Sequence, residues 1–507
     1  MAVMSQSTLR SGGRLPALAL FAWADRRLGF VLAVAVAAVA GMAAGWLLPR
    51  GPITTTDALG TIVGALLVGL AGGVIGGSRW TLLAAPIVAV AAFELARLGT
   101  PGPTVDAIHL GSMYGFIAFV VGRGVTLFLV VPALMLGVVY GVELAARLGR
   151  QRTRRLGAVS WLVSAFVSLA LVSLMLVVAR PASTAPIVGA DGQPLQAGVA
   201  ELTRVPIGGH DQALMIRGHD AGKPVLLHLA GGPGGTDLGA MRADTGLEEH
   251  FVVVTWDQRG TGKSYSALDP VSSLTLEQMV ADTIELSEYL RDRFDEQRIY
   301  LHGQSWGSTL GVLAVQSRPD LYHAWVGSGQ MVSQRETDIL FWEDTLTWAE
   351  ASGEGALAAT LRANGAPPYP DILDYEIALS HEHDWNVYPE FDGSTEMPFT
   401  LFVTENELMD QVNGLRAFLD TFSVLYPQLQ DIDFRADVPS LDVPVYMIVG
   451  AHEARGRAVL ADEWFAGLEA PSKERIVFDH SGHRPTFEEP ARFVEVMASV
   501  VADTSSG

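Results

Sequence analysis
Two patterns of apolar residues divide this chain. Through residue 180 the apolar positions run unbroken for about 20 residues at a time, the length that crosses a hydrocarbon core. Leu28–Leu48, Ala58–Gly76, Trp80–Leu98 and Gly157–Val178 are such runs. Between the last two, Leu110–Val142 is broken by Arg123 and its flanking Gly122 and Gly124, so Gly124–Val142 reads as a further span. Ser112–Val121 is too short to cross alone and reads as a re-entrant or interfacial segment. The expectation is a helical transmembrane bundle of five spans, or six if that segment also crosses.

After residue 197 the apolar runs shorten and alternate with amphipathic stretches. Val199–Ile207 and Gln212–Arg217 suit a leading hairpin. Pro224–Ala230, Phe251–Trp256, Arg298–His302, His323–Gly327 and Val443–Val449 are short and mostly apolar, as parallel strands covered on both faces are. Leu276–Phe294 has helical periodicity, with Thr275 as N-cap and Gln278 completing a capping box. Leu274 and Met279 are placed to staple its entry, and Phe487–Ala502 is a closing amphipathic helix. This alternation predicts a doubly wound α/β sheet. From Met331 to about Pro439 it gives way to helices and loops, an inserted cap. The domain reading is therefore 1–27 N-terminal segment, 28–180 transmembrane region, 181–197 linker, 198–330 first part of the α/β core, 331–440 cap and 441–507 second part of the core.

Charge separates the same two halves. Residues 1–180 carry fourteen Arg, no Lys and five acids, a net of +9. The whole-chain counts then leave twenty basic and fifty acidic residues for 181–507, a net of −30. The arginines fall between apolar runs rather than along one polar face, so no nucleic-acid partner is expected. Arg10, Arg14, Arg26, Arg27, Arg79, Arg147, Arg150, Arg152, Arg154 and Arg155 fall on one side of five alternating spans, against Arg50, Arg97, Arg123 and Arg180. That asymmetry puts the N-terminus in the cytoplasm and everything after Val178 outside the cell. There is no cysteine, so thiolate chemistry and disulfides are excluded.

Trp256–Ser264, WDQRGTGKS, ends like a phosphate-binding loop. Such a loop needs glycine five residues before Gly262, and Asp257 stands there. No nucleotide is expected. The chemistry lies in Arg298–Val315, where a strand runs into Gly303-Gln304-Ser305-Trp306-Gly307 and then a helix, a nucleophile elbow in its strand–turn–helix setting. Ser305 is the candidate nucleophile. The backbone N–H of Trp306 and of Gly232, in the GGPGG loop, are the candidate oxyanion donors. The base is expected late in the chain, and His483 in SGH suits it better than His480; His302 and His323 read as packing or surface residues. The acid is expected after the penultimate strand, where Glu453 is the first carboxylate. Asp462 and Glu463 fall in the next helical run. No cofactor and no metal is called for.

GGPGG, WDQRGTGKS, GQSWGSTLG and SGH, in this order, resemble the proline iminopeptidase branch of the α/β-hydrolases over about residues 200–330 and 440–500. The resemblance implies the same roles for Ser305, His483, Glu453, Gly232 and Trp306. It departs from the family pattern at Glu453, where Asp is usual, and at Ala230, where His is usual. It also implies that cap carboxylates grip a substrate's α-amino group, with Glu343, Glu350, Glu376 and Glu382 as candidates in a cap of four Arg and twenty-one acids. The expectation is a membrane-anchored serine hydrolase, an aminopeptidase on small peptides, with the lipid bilayer as its other partner. The alternative is an esterase or amidase on small or lipophilic acyl substrates. A non-catalytic sensor or transporter is less favoured, because a binding module has little need of a complete triad.

Overall fold
The apolar runs of the N-terminal half are helices in the structure, a computed structural model. It describes residue 23 and residues 25–48, 51–78, 80–105, 108–148, 157–397 and 399–504. Most of the predicted N-terminal segment, and Arg10, Arg14, Arg50, Arg79, Arg150, Arg152, Arg154 and Arg155, lie outside the described residues. By internal packing these divide into two units. One holds the apolar helices. The other holds Gly51 and Pro52, the described residues of 101–123, and the chain from Pro181 onward.

In the first unit, α1 (Arg26–Leu47), α2 (Thr55–Gly76), α3 (Thr81–Ala96), α5 (Val125–Arg147) and α6 (Ala158–Val178) follow the predicted runs. Helix α4 (Met113–Phe119) belongs to the second unit and runs through a π-helical turn, Val120–Gly124, into α5. The sequence reading breaks the chain at Arg123, whereas here the helix continues through it by a single wider turn. Among the described residues four helices are long and apolar enough to cross a membrane: Arg26–Leu47, Thr55–Gly76, Met113–Arg147 and Ala158–Val178. The third expected span is shorter, 16 residues with Pro86 inside. Helices α2 and α5 meet through glycines. A Cβ on Gly69 or Gly73 would come within 2.0 or 2.3 Å of a carbonyl oxygen of α5, and one on Gly137 or Gly141 within 2.1 or 2.2 Å of one on α2. Spaced four apart on both helices, they bring the two backbones together, the small-residue packing that suits apolar helices.

The second unit is built on an eight-stranded sheet in the order β1-β2-β4-β3-β5-β6-β7-β8. Its strands are β1 (Val199–Ile207), β2 (His210–Gly218), β3 (Val225–Leu229), β4 (Val252–Asp257), β5 (Ile299–Gln304), β6 (Tyr322–Ser328), β7 (Val445–Gly450) and β8 (Lys473–Phe478). β1 pairs antiparallel with β2 and β2 antiparallel with β4, and the remaining pairs are parallel. Strands β3, β4, β5 and β7 are buried at every position, as their continuous apolar runs require. Helices α7 (Leu276–Phe294), α8 (Trp306–Ser317), α11 (Arg455–Gly467) and α12 (Pro490–Thr504) connect or close the sheet, and α9 (Gln334–Ser352) and α10 (Leu408–Leu425) lead and end the insertion between β6 and β7. Thr275 caps α7 by accepting from Gln278 N at 3.2 Å. The reciprocal half of the predicted box is not made, because the Gln278 side chain donates to Asp282 at 2.7 Å instead.

Asp282 explains much of WDQRGTGKS. Arg259 donates to both its oxygens, at 2.7 and 3.1 Å, and to Gly208 O at 2.9 Å, with both side chains of the pair fully buried. Asp257 accepts from Thr236 Oγ1 at 2.5 Å and Lys263 N at 2.8 Å, which closes the turn. Lys263, read from sequence as a surface residue, is largely buried and paired with Asp410. Removing one partner of a buried pair strands the other charge, so Asp282→Ala should cost about 3–5 kcal/mol. Denaturant unfolding followed by tryptophan fluorescence measures that loss.

Candidate active site
Strand β5 delivers Ser305 into a turn that only small neighbours allow. Ser305 has φ +55° and ψ −120°, a conformation non-glycine residues rarely hold. A Cβ on Gly303 would sit 2.3 Å from Gly307 O, and one on Gly307 would sit 2.1 Å from Leu229 O on β3. The two glycines of the elbow therefore let α8 start against the sheet with Ser305 at the strand's C-terminal end. Trp306 opens α8, and its indole donates to Gln258 Oε1 at 2.9 Å. Gln258 in turn donates to Ala230 O at 3.2 Å. The stretch that mimics a phosphate loop thus ties the elbow to the loop after β3.

That loop carries Gly231 and Gly232. Gly231 N donates to Asp237 Oδ2 at 3.3 Å. Asp237 also accepts from Arg484 Nη2 at 2.9 Å and meets His228 Nε2 at 3.1 Å. Burial alone would raise its carboxyl, but Arg484, His228 and the Gly231 N–H hold it down to about 2. His228 continues to His302, 2.9 Å away, and burial beside His228 keeps His302 well below the usual imidazole range. Gly232 has φ +133°. Neither its N–H nor that of Trp306 has an acceptor among the described residues, which leaves both free for an oxyanion.

His483 follows β8, and its loop is laced to the one after β7: Ala451 N donates to Phe478 O at 2.8 Å and His452 N to Ser481 O at 2.9 Å. This brings Glu453 and His483 together. His483 Nδ1 lies 2.8 Å from Glu453 Oε2, and His483 Nε2 lies 2.9 Å from Ser305 Oγ. The other Glu453 oxygen accepts from Ala454 N at 2.9 Å and Arg457 Nε at 2.7 Å. Burial pushes this carboxyl up, yet Arg457 and His483 outweigh it and hold it down to about 2. An ionised acid, an imidazole and a hydroxyl in line can activate a nucleophile and return its proton. His480 is 65% exposed and faces Glu390, and Asp462 and Glu463 pair with Arg475 and Arg435 at the surface.

The cap candidates separate on inspection. Glu343 and Glu350 are surface partners of Arg455 and Arg362. Glu376 is buried, and its two oxygens accept from Met113 N and Tyr114 N, each at 2.7 Å. Only Glu382 borders the cavity at Ser305, and it is paired with Arg457. Glu396 borders the same cavity with no hydrogen bond or ion pair to its carboxylate among the described residues. Sequence reasoning missed it because a lone acid in an irregular loop carries no periodicity. It missed Arg457 too, although an Arg four residues after Glu453 at a helix start is a signal of pairing.

The cavity, about 610 Å³, is walled by the cap and by α4. Met113, Tyr114 and Ile117 of α4 line it together with Leu415, Phe418 and Phe422 of α10. Tyr114 and Phe418 meet edge to face at 6.0 Å between ring centres. Helix α10 also anchors the connectors that bring α4 here. Arg416 donates to Gly51 O at 2.5 Å and Gly122 O at 3.0 Å, and Asp420 accepts from Thr104 Oγ1 at 2.6 Å and from Tyr265.

Comparison with known proteins gives the family. Residues 245–362 match the model described as "Serine aminopeptidase, S33". The probable aminopeptidase YbaC of Bacillus subtilis (strain 168) is 31% identical over 320 residues, 60% of this chain and 97% of that protein. A probable proline iminopeptidase of Leptolyngbya boryana is 32% identical over 131 residues, covering 26% of this chain and 39% of that protein. Among solved structures, proline iminopeptidase from Mycobacterium smegmatis aligns with 60% of this chain and 98% of its own at 18% identity, with a TM-score of 0.40. With its elbow, its sheet order and a relative matched over nearly its whole length, the chain belongs to the serine aminopeptidase family and is a peptidase-like α/β-hydrolase.

Proposed function
We propose that the chain is a membrane-anchored serine hydrolase that removes N-terminal residues from small peptides, in the manner of a proline iminopeptidase, through an acyl-enzyme at Ser305. The observation that carries this is the line from Ser305 Oγ through His483 to Glu453, at 2.9 and 2.8 Å. Ser305 Oγ attacks the carbonyl carbon while His483 Nε2 takes its proton. The N–H groups of Trp306 and Gly232 hold the oxyanion. The intermediate collapses with breakage of the C–N bond, and His483 gives its proton to the leaving amine. Water then repeats the sequence to free the acid and restore Ser305. Glu453 fixes the imidazole tautomer and balances the charge that forms on it. Glu396 at the cavity wall is the carboxylate available to a substrate ammonium.

An esterase or amidase acting on lipophilic acyl groups is the second reading, favoured by the apolar wall of Met113, Ile117, Leu415 and Phe418. Of the spans, five are proposed, with the N-terminus cytoplasmic and the hydrolase unit outside. One experiment addresses activity and sidedness together. Intact cells making the full chain should hydrolyse a membrane-impermeant aminoacyl-amide in the medium, and lysis should add little. Turnover seen only after lysis would reverse the topology. Ester turnover with no amide turnover in either state would replace the peptidase by the esterase.

A further inference from the structure
The active-site cavity takes one wall from outside the stretch that carries the hydrolase sequence. Helix α4 precedes β1 by some eighty residues and lies, in chain order, between the apolar helices α3 and α5. Its seat in the second unit is built rather than incidental. Glu376 caps its first two N–H groups, Ser112 Oγ accepts from Gly115 N at 3.0 Å, and a Cβ on Gly115 would fall 1.9 Å from His109 O. Thr104 and Gly122, on either side of α4, bond to Asp420 and Arg416 of α10. What α4 then presents to the cavity is a thioether, an aromatic ring and a branched aliphatic, opposite Leu415, Phe418 and Phe422. A prolyl or alanyl group is too short to cover these six side chains, and apolar atoms with nothing against them forfeit their contacts.

We propose that Met113, Tyr114 and Ile117 are specificity-determining residues, and that the acyl group they receive is a large apolar one. Resting on the hydrolase reading above, the preferred substrates are amides of N-terminal leucyl or phenylalanyl residues rather than prolyl or alanyl. The side chain lies along α4 and Phe418 while the carbonyl sits at Ser305. Each methylene seated in an apolar pocket is worth about 10-fold or more in kcat/KM, so the preference is large enough to read directly.

The test uses the full chain in detergent with matched prolyl, alanyl, leucyl and phenylalanyl anilides, and with acetyl and octanoyl esters. For the unaltered protein, leucyl and phenylalanyl turnover should exceed prolyl and alanyl by about 10-fold or more. Tyr114→Ala and Ile117→Ala should cut that ratio roughly 10-fold, read on protein that keeps the unfolding midpoint of the unaltered chain. Tyr114→Phe, which keeps the ring against Phe418, should restore the ratio lost in Tyr114→Ala. A prolyl preference, or a ratio indifferent to both alanine variants while Ser305-dependent turnover persists, overturns the wall assignment alone. Turnover of the octanoyl ester without any anilide turnover overturns the aminoacyl part and gives the wall to a fatty acyl chain. Absence of any Ser305-dependent turnover, with no labelling of Ser305 by a fluorophosphonate probe, brings down the hydrolase reading itself.

Discussion

Ser305→Ala lowers kcat on aminoacyl-amides by about 10⁴–10⁶-fold and leaves KM within about threefold. In the proposed mechanism the hydroxyl is the group that bonds to the carbonyl carbon, so its loss removes the covalent route. The two N–H groups and the cavity remain, and they sustain only the residual catalysis that binding and oxyanion stabilisation give. The elbow tolerates the change, since alanine is smaller than serine and the crowding falls on Gly303 and Gly307. Initial rates on the purified full chain, normalised to protein that retains the unfolding midpoint of the unaltered chain, make the comparison. A variant that kept a tenth of the rate would move the nucleophile elsewhere.

Glu453→Gln is the second large effect, a fall of about 10⁴-fold in kcat with little change in fold. The amide keeps the side chain's size but loses the charge that balances the imidazolium. It can also turn its NH₂ toward Nδ1, which fixes the wrong tautomer. Glutamate here reaches His483 at 2.8 Å and is held from behind by Arg457, so the extra methylene relative to aspartate is accommodated. The same residue leaves a mark on stability. Its folded carboxyl is held at about 2 against a usual 4.5. The stabilisation is therefore complete above about pH 4.5 and is lost as pH falls toward 2. Acid titration of unfolding free energy should show this loss in the unaltered chain and a shallower slope in Glu453→Gln. Equal slopes would mean that Glu453 is not held by Arg457 and His483 in solution.

The sequence reading of the α/β half came close because its central strands β3, β4, β5 and β7 are buried on both faces and so read as short continuous apolar runs. β1 and α7 begin and end at the residues expected. That Ser305, His483 and Glu453 come together was legible because strand order and motif order fix which loops share the sheet's C-terminal edge. What could not be read depends on contacts between distant segments. Arg457, bridging Glu453 to Glu382 of the cap, and Asp237, linking the Gly231 N–H to Arg484, have no periodic signature. Lys263 looked exposed because its partner Asp410 lies far along the chain. Ser112–Val121 was too short to assign to a bilayer crossing, and nothing in its composition says that Tyr114 will face Phe418.

That long-range wall also sets a schedule for the protein's birth. Thr104 and its partner Asp420 are separated by 316 residues. At about 5–20 residues per second, the ribosome needs roughly 15–60 s to travel from one to the other. Through that interval α4 exists without α10, with its tyrosine and isoleucine waiting for the surface they will cover. The cavity is completed only late in translation, so a nascent chain released before Asp420 holds Ser305 but neither the full cavity wall nor His483.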